Sequence, residues 1–286
     1  MPSHSKPDLS KRLLIAGFGD LGRRLAERVS AYDHNVWHSH ALRRSVEPAA
    51  ASSDSITAIQ ADLTQPDSLV PIAGHWDAVV YTATPSERTP EGYRNAYLHG
   101  LNNLLQQIST DRLIVVSSTA VYGQDQGEWV DEYSPTEPQG FNGQILLEAE
   151  QRAFQADGIV VRFSGIYGPG RTRLIERVRN GAIECRRQPP IWTNRIHADD
   201  CAAVLAHLLE LEKPEAVYLA SDHEPVTRWD LYEWLAKRLS VPGPIEVADP
   251  AAGQGKRVKN HHLFNSGFDF RYRSFRQGYD GLIDAL

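Results

Sequence analysis

Three glycines near the start of the chain have the spacing of a phosphate-binding turn. Gly17, Gly19 and Gly22 form GxGxxG in the segment GFGDLG, between the apolar run LLIAG and residues with helical spacing. The first glycine allows a tight turn, the second admits a pyrophosphate, and the third permits close helix–strand packing at a helix start that attracts phosphate. The pattern predicts dinucleotide binding by Gly17, Phe18, Gly19, Asp20, Leu21 and Gly22. The alternative is a turn kept only for packing.

The residues about 20 positions after this turn would decide which dinucleotide binds. An Asp or Glu there usually bonds the ribose 2′-hydroxyl of NAD, but the segment HSHALRR at 38–44 contains no acid and the next one is Glu47. Arg43, Arg44 or Arg23 could instead bind a 2′-phosphate bidentately, which favours NADP(H), with NAD(H) still possible. The alternative is that Arg43 and Arg44 form only a solvated loop surface.

Three further positions are predicted to contact the same cofactor. Asp62 and Leu63 follow the third predicted strand, where an adenine contact would lie, although Asp62 is almost equally suited to cap a helix. Ala83 ends the fourth predicted strand and completes this set.

The elements that must position these residues alternate between strands and helices. Nearly continuous apolar strands between helices indicate an α/β fold with a doubly wound parallel sheet of six strands. The strands are predicted at 13–17, 35–38, 57–60, 78–83, 113–117 and 159–163, and the helices at 20–31, 91–109, 142–157, 201–211 and 228–240. We expect a dinucleotide-binding domain at 12–165 with about 194–212. A smaller C-terminal substrate lobe would comprise about 166–193 and 213–286.

Composition excludes several classes of function. The 286 residues carry a net charge of −6, which removes the electrostatic basis for binding nucleic acid or an anionic membrane. The two cysteines, Cys185 and Cys201, have no CxxC or CxxH spacing, so we predict neither a disulfide framework nor a metal site. No segment reads as a signal or membrane span. We therefore expect a cytoplasmic protein with a small-molecule partner.

Four motifs spread along the chain form one larger pattern. They are GFGDLG at 17–22, VSSTAVYG at 116–123, VVRFSGIYGPGR at 160–171 and NRIHADD at 194–200. Together they resemble the extended short-chain dehydrogenase/reductases of the NAD-dependent epimerase/dehydratase type, over roughly residues 12–240. The resemblance implies a Rossmann lobe that binds NAD(P) and a small C-terminal lobe that holds the substrate, often a nucleotide sugar.

The resemblance also implies which residues do the chemistry. In the family a Ser or Thr hydroxyl and the Tyr of a YxxxK motif act on a substrate hydroxyl, while the Lys lowers the Tyr pKa. Ser118 matches the hydroxyl, but the Tyr position falls on Asn142 and the Lys position on Leu146. The chain has no YxxxK and no lysine between Lys11 and Lys213. We therefore predict that the pair is replaced, and Tyr122 is a candidate substitute acid.

Other positions of these motifs carry predicted contacts. Thr119 and Ala120 stand where the dehydratases carry acidic residues, so elimination of water by that route is not expected. Thr119 and Arg195 are predicted substrate contacts, and Tyr167 is predicted to line the site near the nicotinamide. His197 has the pKa range of a general base, but the resemblance favours a structural role for it.

Two functions of different class remain. One is an NAD(P)-dependent epimerase/dehydratase-like enzyme or reductase acting on a nucleotide sugar or a similar small alcohol or ketone. The other is a catalytically silent NAD(P)-binding sensor or scaffold. In either case the resemblance implies a homodimer through the helices at 91–109 and 142–157, although their apolar residues, such as Leu98, Leu101 and Ile145, could face the sheet instead.

Overall fold

The computed structural model describes residues 11–31, 36–45, 52–53, 56–181, 183–249 and 253–285. Its main feature is a parallel sheet of seven strands in the order β7-β6-β5-β4-β1-β2-β3, with Ser52–Ser53 added antiparallel to β3. The strands are β1 (Lys11–Ala16), β2 (Trp37–Arg43), β3 (Ile56–Gln60), β4 (Ala78–Tyr81), β5 (Leu113–Ser118), β6 (Ile159–Phe163) and β7 (Val217–Ala220).

The strand order is that of a doubly wound fold. From β1 the chain moves outward through β2 and β3, then returns to β4 on the other side of β1 and continues outward. The predicted α/β class is therefore confirmed. In such sheets ligands bind at the carboxyl ends of the strands, where the order reverses.

The helices of the described residues follow the strands in the expected alternation. They are α1 (Asp20–Ser30), α2 (Pro90–Tyr93), α3 (Gly100–Gln107), α4 (Phe141–Gln155), α5 (Arg173–Arg179), α6 (Ala198–Glu210), α7 (Arg228–Leu239), α8 (His261–Asn265) and α9 (Phe275–Asp284). A π-helical turn, Arg94–His99, joins α2 to α3, so the helix predicted at 91–109 is interrupted. None of the described helices is long and apolar enough to span a bilayer.

Two strands differ from the sequence prediction. β2 runs from Trp37 to Arg43 rather than over 35–38, of which Asn35 lies outside the described residues. The segment WHSHALR shows no apolar run because Trp37, Ser39 and Ala41 alternate with less buried histidines. The sequence also misses β7, because periodicity cannot distinguish so short an apolar run from other buried segments.

By its internal contacts the chain divides into two compact units. Unit 1 combines the described residues up to Val116 with Ile145–Val160 and Leu205–Ala216. Unit 2 combines Ser117–Gln144 and Val161–Val204 with the described residues from Val217 onward. The boundaries of the two functional lobes given above stay a prediction.

Unit 1 has a core of strand and helix side chains. Its members include Leu14, Val79, Leu98, Leu101, Leu104, Val115, Ile145 and Ala149, all largely buried. Leu98, Leu101 and Ile145 therefore pack with sheet residues such as Val79. This agrees with the alternative prediction that they face the sheet. These three side chains are not available for contact with a second copy.

Unit 2 has its own core, drawn from α5, α7 and α9. It includes Ile175, Val178, Leu231, Leu235, Phe275 and Tyr279. Short strand pairs lie beside it: Gly165–Tyr167 runs parallel to Arg195–His197, and Trp129–Val130 runs parallel to Arg257–Val258. These pairs fix the segments that carry the motif residues of this unit.

Candidate functional site

A cavity of about 580 Å³ lies within unit 1. Several predicted cofactor contacts line it, although they come from separate segments of the chain: Gly17, Phe18, Gly19, Arg43, Arg44, Asp62, Leu63 and Ala83. The sequence missed the wall formed by residues 84–96, because Thr84, Ser86, Asn95 and their neighbours belong to no recognisable motif. The cavity has the size of a small-molecule site.

Gly17 makes the tight turn between β1 and α1. Its φ of +100° is rarely adopted by other residues, and a Cβ atom there would lie 2.5 Å from Ala83 Cα. Its N–H donates to the Leu42 carbonyl at 3.2 Å, and its carbonyl accepts from Thr82 Oγ1 at 2.7 Å. The turn is therefore bonded to the segments at the ends of β2 and β4.

The start of α1 leaves room for an anionic ligand. Gly19 is the N-cap residue without a side-chain cap, and a Cβ atom there would meet nothing within 4 Å. In contrast, a Cβ atom on Gly22 would lie 2.9 Å from Ile15 Cγ2, so this residue packs on β1. The Asp20 carboxylate accepts from Arg24 Nε at 2.9 Å, which offsets its negative charge at the helix start. These features fit a bound pyrophosphate.

Arg43 and Arg44 line the cavity where the ribose of a dinucleotide is expected. Arg43 ends β2, and Arg44 follows it with an exposed side chain. Neither guanidinium forms a hydrogen bond or ion pair with any described residue. Arg23, by contrast, pairs with Glu27 at 2.7 Å and with Asp20 at 3.6 Å. Two unpaired guanidinium groups beside one cavity can bind a phosphate.

Asp62 lines the cavity, and its side chain is hydrogen-bonded to the turn that follows it. Its Oδ1 accepts from Thr64 N at 2.9 Å and from Thr64 Oγ1 at 2.8 Å, just before the 3₁₀ segment Pro66–Ile72. The N-cap of that segment is Gln65, so the alternative of a helix cap at Asp62 is wrong. Asp62 lines the cavity, and an adenine contact through it stays a prediction.

Ser118 and Thr119 lie on a 3₁₀ turn of unit 2. Ser118 ends β5, and its Oγ accepts from Ala120 N at 3.2 Å. Both side chains are part-exposed. The Ser118 hydroxyl is thus held in one orientation and can still meet a ligand.

Tyr122 closes the same turn but has internal partners. Its hydroxyl donates to the Asp131 carbonyl at 2.9 Å and accepts from the buried Arg162 guanidinium at 2.7 Å. The side chain is 2% exposed. This environment gives Tyr122 a positioning role, and its role as a substitute acid stays a prediction.

Asn142 and Leu146, the two positions predicted to replace the catalytic pair, lie on α4. Asn142 precedes Gly143, whose backbone packs against the Ala120 carbonyl and Pro138, so the first turn of α4 lies beside the turn of Ser118. Asn142 is part-exposed and Leu146 is 3% exposed. Asn142 offers an amide and Leu146 only an alkyl group, which can provide neither a phenolate nor a cation.

Arg195 and His197 occupy one short strand of unit 2 with different exposure. Arg195 is part-exposed, and its Nε has no hydrogen-bond partner among the described residues. His197 is buried, its Nδ1 accepts from Asp199 N at 3.1 Å, and its ring lies 3.9 Å from that of Tyr272. Arg195 therefore suits an anionic ligand, whereas His197 has the contacts of a structural residue.

Tyr167 lies in the core of unit 2. Its ring stacks on that of Tyr279 at 4.3 Å and meets His197 edge-on at 5.3 Å. The side chain is 2% exposed, and its hydroxyl bonds no residue in the described part of the chain. The structure thus gives this ring a packing role, and a nicotinamide contact through it stays a prediction.

One group of possible metal ligands was not predicted from the sequence. His75, Asp77 and Asp111 offer ligand atoms within 4.8 Å of one another, although Asp111 is distant from the other two in the sequence. Asp77 Oδ2 already accepts from Arg12 N at 2.7 Å, and the Arg12 guanidinium donates to the His75 carbonyl. A cation beside the group opposes metal binding.

Comparison with known proteins identifies the lineage of this fold. The model of the NAD dependent epimerase/dehydratase family matches residues 13–220. A solved structure from Methylobacillus flagellatus, described as an NAD-dependent epimerase/dehydratase, is 35% identical with a TM-score of 0.79, covering 96% of this chain and 98% of that one. MoeE5 in complex with UDP-glucose and NAD shares the fold at 20% identity and a TM-score of 0.76, with 96% and 98% covered.

Two relatives are similar in sequence. Protein YeeZ of Escherichia coli strain K12 is 27% identical over 274 residues, covering 92% of this chain and 96% of that protein. The 2′-dehydrokanamycin reductase of Streptomyces kanamyceticus is 26% identical, covering 86% of this chain and 72% of that enzyme. Because the family model spans most of the chain and the glycine turn lies within the match, this protein belongs to the NAD-dependent epimerase/dehydratase family of extended short-chain dehydrogenase/reductases.

Proposed function

We propose that this protein is an NAD(P)-dependent oxidoreductase, a reductase or epimerase-like enzyme that acts on a nucleotide sugar or a similar small alcohol or ketone. The observation that carries the proposal is the cavity of unit 1, with its glycine turn, its uncapped helix start and two arginines that pair with none of the described residues. Similar proteins support it, since they include a reductase and a structure that holds UDP-glucose with NAD.

The residues around the cavity suit particular parts of the cofactor. Gly17–Gly22 would hold the pyrophosphate, while Asp62, Leu63 and Ala83 would enclose the adenosine half. Arg43 and Arg44 would bind a 2′-phosphate, which favours NADP(H), and NAD(H) stays possible. When bound, the cofactor supplies hydride transfer.

The chain's own residues supply the remaining chemistry. The Ser118 hydroxyl would donate to the reacting oxygen of the substrate, while Thr119 and Arg195 would bind its other groups. We propose that Asn142 and Leu146 replace the Tyr and Lys of the family, so that proton transfer depends on Ser118 and water. General acid–base help is typically worth about 10²–10⁴-fold. Turnover of ordinary sugar nucleotides should therefore be slow.

Substitution of Ser118 tests this assignment. In an assay that follows NADPH consumption with a panel of sugar and small-molecule ketones, we expect Ser118→Ala to lower turnover by roughly 10²-fold and to leave the Kd of NADPH unchanged. Ser30→Ala serves as the control, because that hydroxyl bonds only the end of α1. Equal turnover of Ser118→Ala and the wild type would remove Ser118 from the mechanism.

A silent sensor or scaffold is the second candidate, favoured by Asn142 and Leu146 at the positions of the catalytic pair. In that case the wild type consumes no cofactor with any ketone, and Asn142→Tyr with Leu146→Lys creates turnover. The homodimer, the cytoplasmic location and the absence of nucleic-acid or membrane partners stay predictions.

A further inference from the structure

Lys256 is an inward-facing lysine of unit 2. It precedes the short strand Arg257–Val258, along which side chains alternate between two faces. On the outer face, Arg257 and Lys259 lie over the Trp129 ring at 4.9 and 5.1 Å, whereas Val258 on the other face is buried. Lys256 shares the face of Val258, and its part-buried ammonium donates to the carbonyl of Tyr122.

The backbone around Lys256 is held in place by a side chain of the NRIHADD motif. Asn194 Nδ2 donates to the Lys256 carbonyl at 2.8 Å, and Val258 N donates to Asn194 Oδ1 at 2.9 Å. On the other side, Gly255 N donates to Asp125 Oδ1 at 2.9 Å. These bonds direct the Lys256 side chain to the turn of Ser118–Tyr122. They also join its backbone to Asn194, the residue before Arg195.

The charge of Lys256 has no ionic partner among the residues that these bonds join. Among the described residues no carboxylate lies within ion-pair distance of its ammonium. Asp125 and Glu128 are the acids whose charges raise the pKa of Lys256. Their carboxylates bond elsewhere, since Asp125 Oδ1 accepts from Gly255 N and Glu128 Oε2 accepts from Gln126 N. Burial lowers the pKa of Lys256, and the two acids oppose this only in part.

An ammonium group has three donors, and one of them bonds a described residue, through the Tyr122 carbonyl. Withdrawing a charge from water without an ionic partner is unfavourable, so a residue in this setting needs a reason beyond packing. An ammonium with donors left over among the described residues suits a ligand that brings an anionic oxygen.

We propose that Lys256 binds an anionic oxygen group of the substrate, a phosphate or a carboxylate, beside the turn that carries Ser118. The inference rests on the proposed function and specifies the charge class of its substrate. A nucleoside diphosphate would present such a group through its phosphates, and a uronic acid through its carboxylate.

The test is calorimetric titration of the full chain with UDP and, separately, with sodium glucuronate. We expect one of these probes to bind the wild type and to bind Lys256→Gln at least tenfold more weakly, while Lys256→Arg retains most of the affinity. Lys259→Gln is the matched control, because its charge lies on the outer face over Trp129, and its affinity should stay within twofold. Which probe binds distinguishes a phosphate from a carboxylate.

A second measurement on the wild type does not depend on the folding of a variant. Acetylation of the Lys256 amine, followed by peptide mass spectrometry, should slow at least fivefold when the binding probe is present, whereas acetylation of Lys259 should not change. Binding of neither probe, equal affinity of Lys256→Gln and the wild type, or unchanged acetylation would overturn the inference. NADPH and NADH titrations of the same sample separate this failure from that of the proposed function.

Discussion

At the scale of single residues, Asp222 is the least expected feature of unit 2. The side chain is 2% exposed, its Oδ1 accepts from Glu224 N at 3.1 Å, and its Oδ2 has no hydrogen-bond partner within the ranges that the structure describes. Burial raises the pKa of Asp222 to about 8, against the hydrogen bond from the Glu224 backbone and the charge of Arg195, which lower it, while the charges of Glu224 and Asp200 raise it further. The carboxyl group is therefore mainly protonated at neutral pH in the folded protein.

This shift predicts a pH-dependent stability. In the unfolded chain Asp222 titrates near about 3.9, so between about pH 4 and pH 8 the folded state binds more protons and loses stability as the pH rises. The loss is at most about 1.4 kcal/mol per pH unit. We expect Asp222→Asn to remove this slope, measured as the free energy of unfolding in urea at pH 5, 6.5 and 8.

The control for this experiment is Glu148→Gln, which removes an exposed carboxylate that pairs with Arg94. Its free energy of unfolding should follow the pH dependence of the wild type. A wild type and an Asp222→Asn variant that stay parallel across the three pH values would show that Asp222 is ionised throughout.

At the scale of elements, the turn from β1 to α1 contains two glycines with different expected roles: Gly17 in stability and Gly19 in binding. Gly17→Ala forces a φ of +100° on a residue with a Cβ and brings that atom against Ala83. We expect a loss of about 2–4 kcal/mol in the free energy of unfolding, from strain and overlap together. Gly19→Ala is the matched control for stability, because its Cβ would meet only the open cavity.

Cofactor binding should instead be weakened by Gly19→Ala, the variant that leaves stability nearly unchanged. Gly19→Ala should keep its free energy of unfolding within about 0.5 kcal/mol and lose at least tenfold in affinity for the dinucleotide. Equal affinity of Gly19→Ala and the wild type would place the pyrophosphate elsewhere, and an undiminished stability of Gly17→Ala would refute the strained turn.

Elements with a strong apolar pattern could be predicted from the sequence. The helix predicted at 20–31 is α1, and the strand at 159–163 is β6. The strand predicted at 35–38 begins and ends too early for β2, because the buried residues of β2 include Trp37, Ser39 and Ala41 and do not form an apolar run. The family motif also indicated Ser118, but the partners of Tyr122 come from distant segments, and no spacing in the sequence reveals them.

At the scale of the whole molecule, the candidate contacts divide between the two units. The cavity with its arginines belongs to unit 1, whereas Ser118, Arg195 and Lys256 belong to unit 2. Sequence spacing could suggest each set but could not reveal Lys256, since its environment is built by Asn194 and Tyr122. Because the cavity is lined by unit 1 alone, substitutions at Ser118 or Lys256 should leave cofactor affinity unchanged.

The central proposal is that the cavity of unit 1 binds a dinucleotide through its glycine turn. Arg43 and Arg44 would bind the 2′-phosphate of that dinucleotide. Calorimetric titration with NADPH, NADP⁺, NADH and NAD⁺ tests it most directly. We predict binding that favours the 2′-phosphorylated forms by at least tenfold, and loss of that preference in Arg43→Ala with Arg44→Ala. Arg23→Ala should retain it, because Arg23 already pairs with Glu27. Binding of none of the four nucleotides would contradict the account.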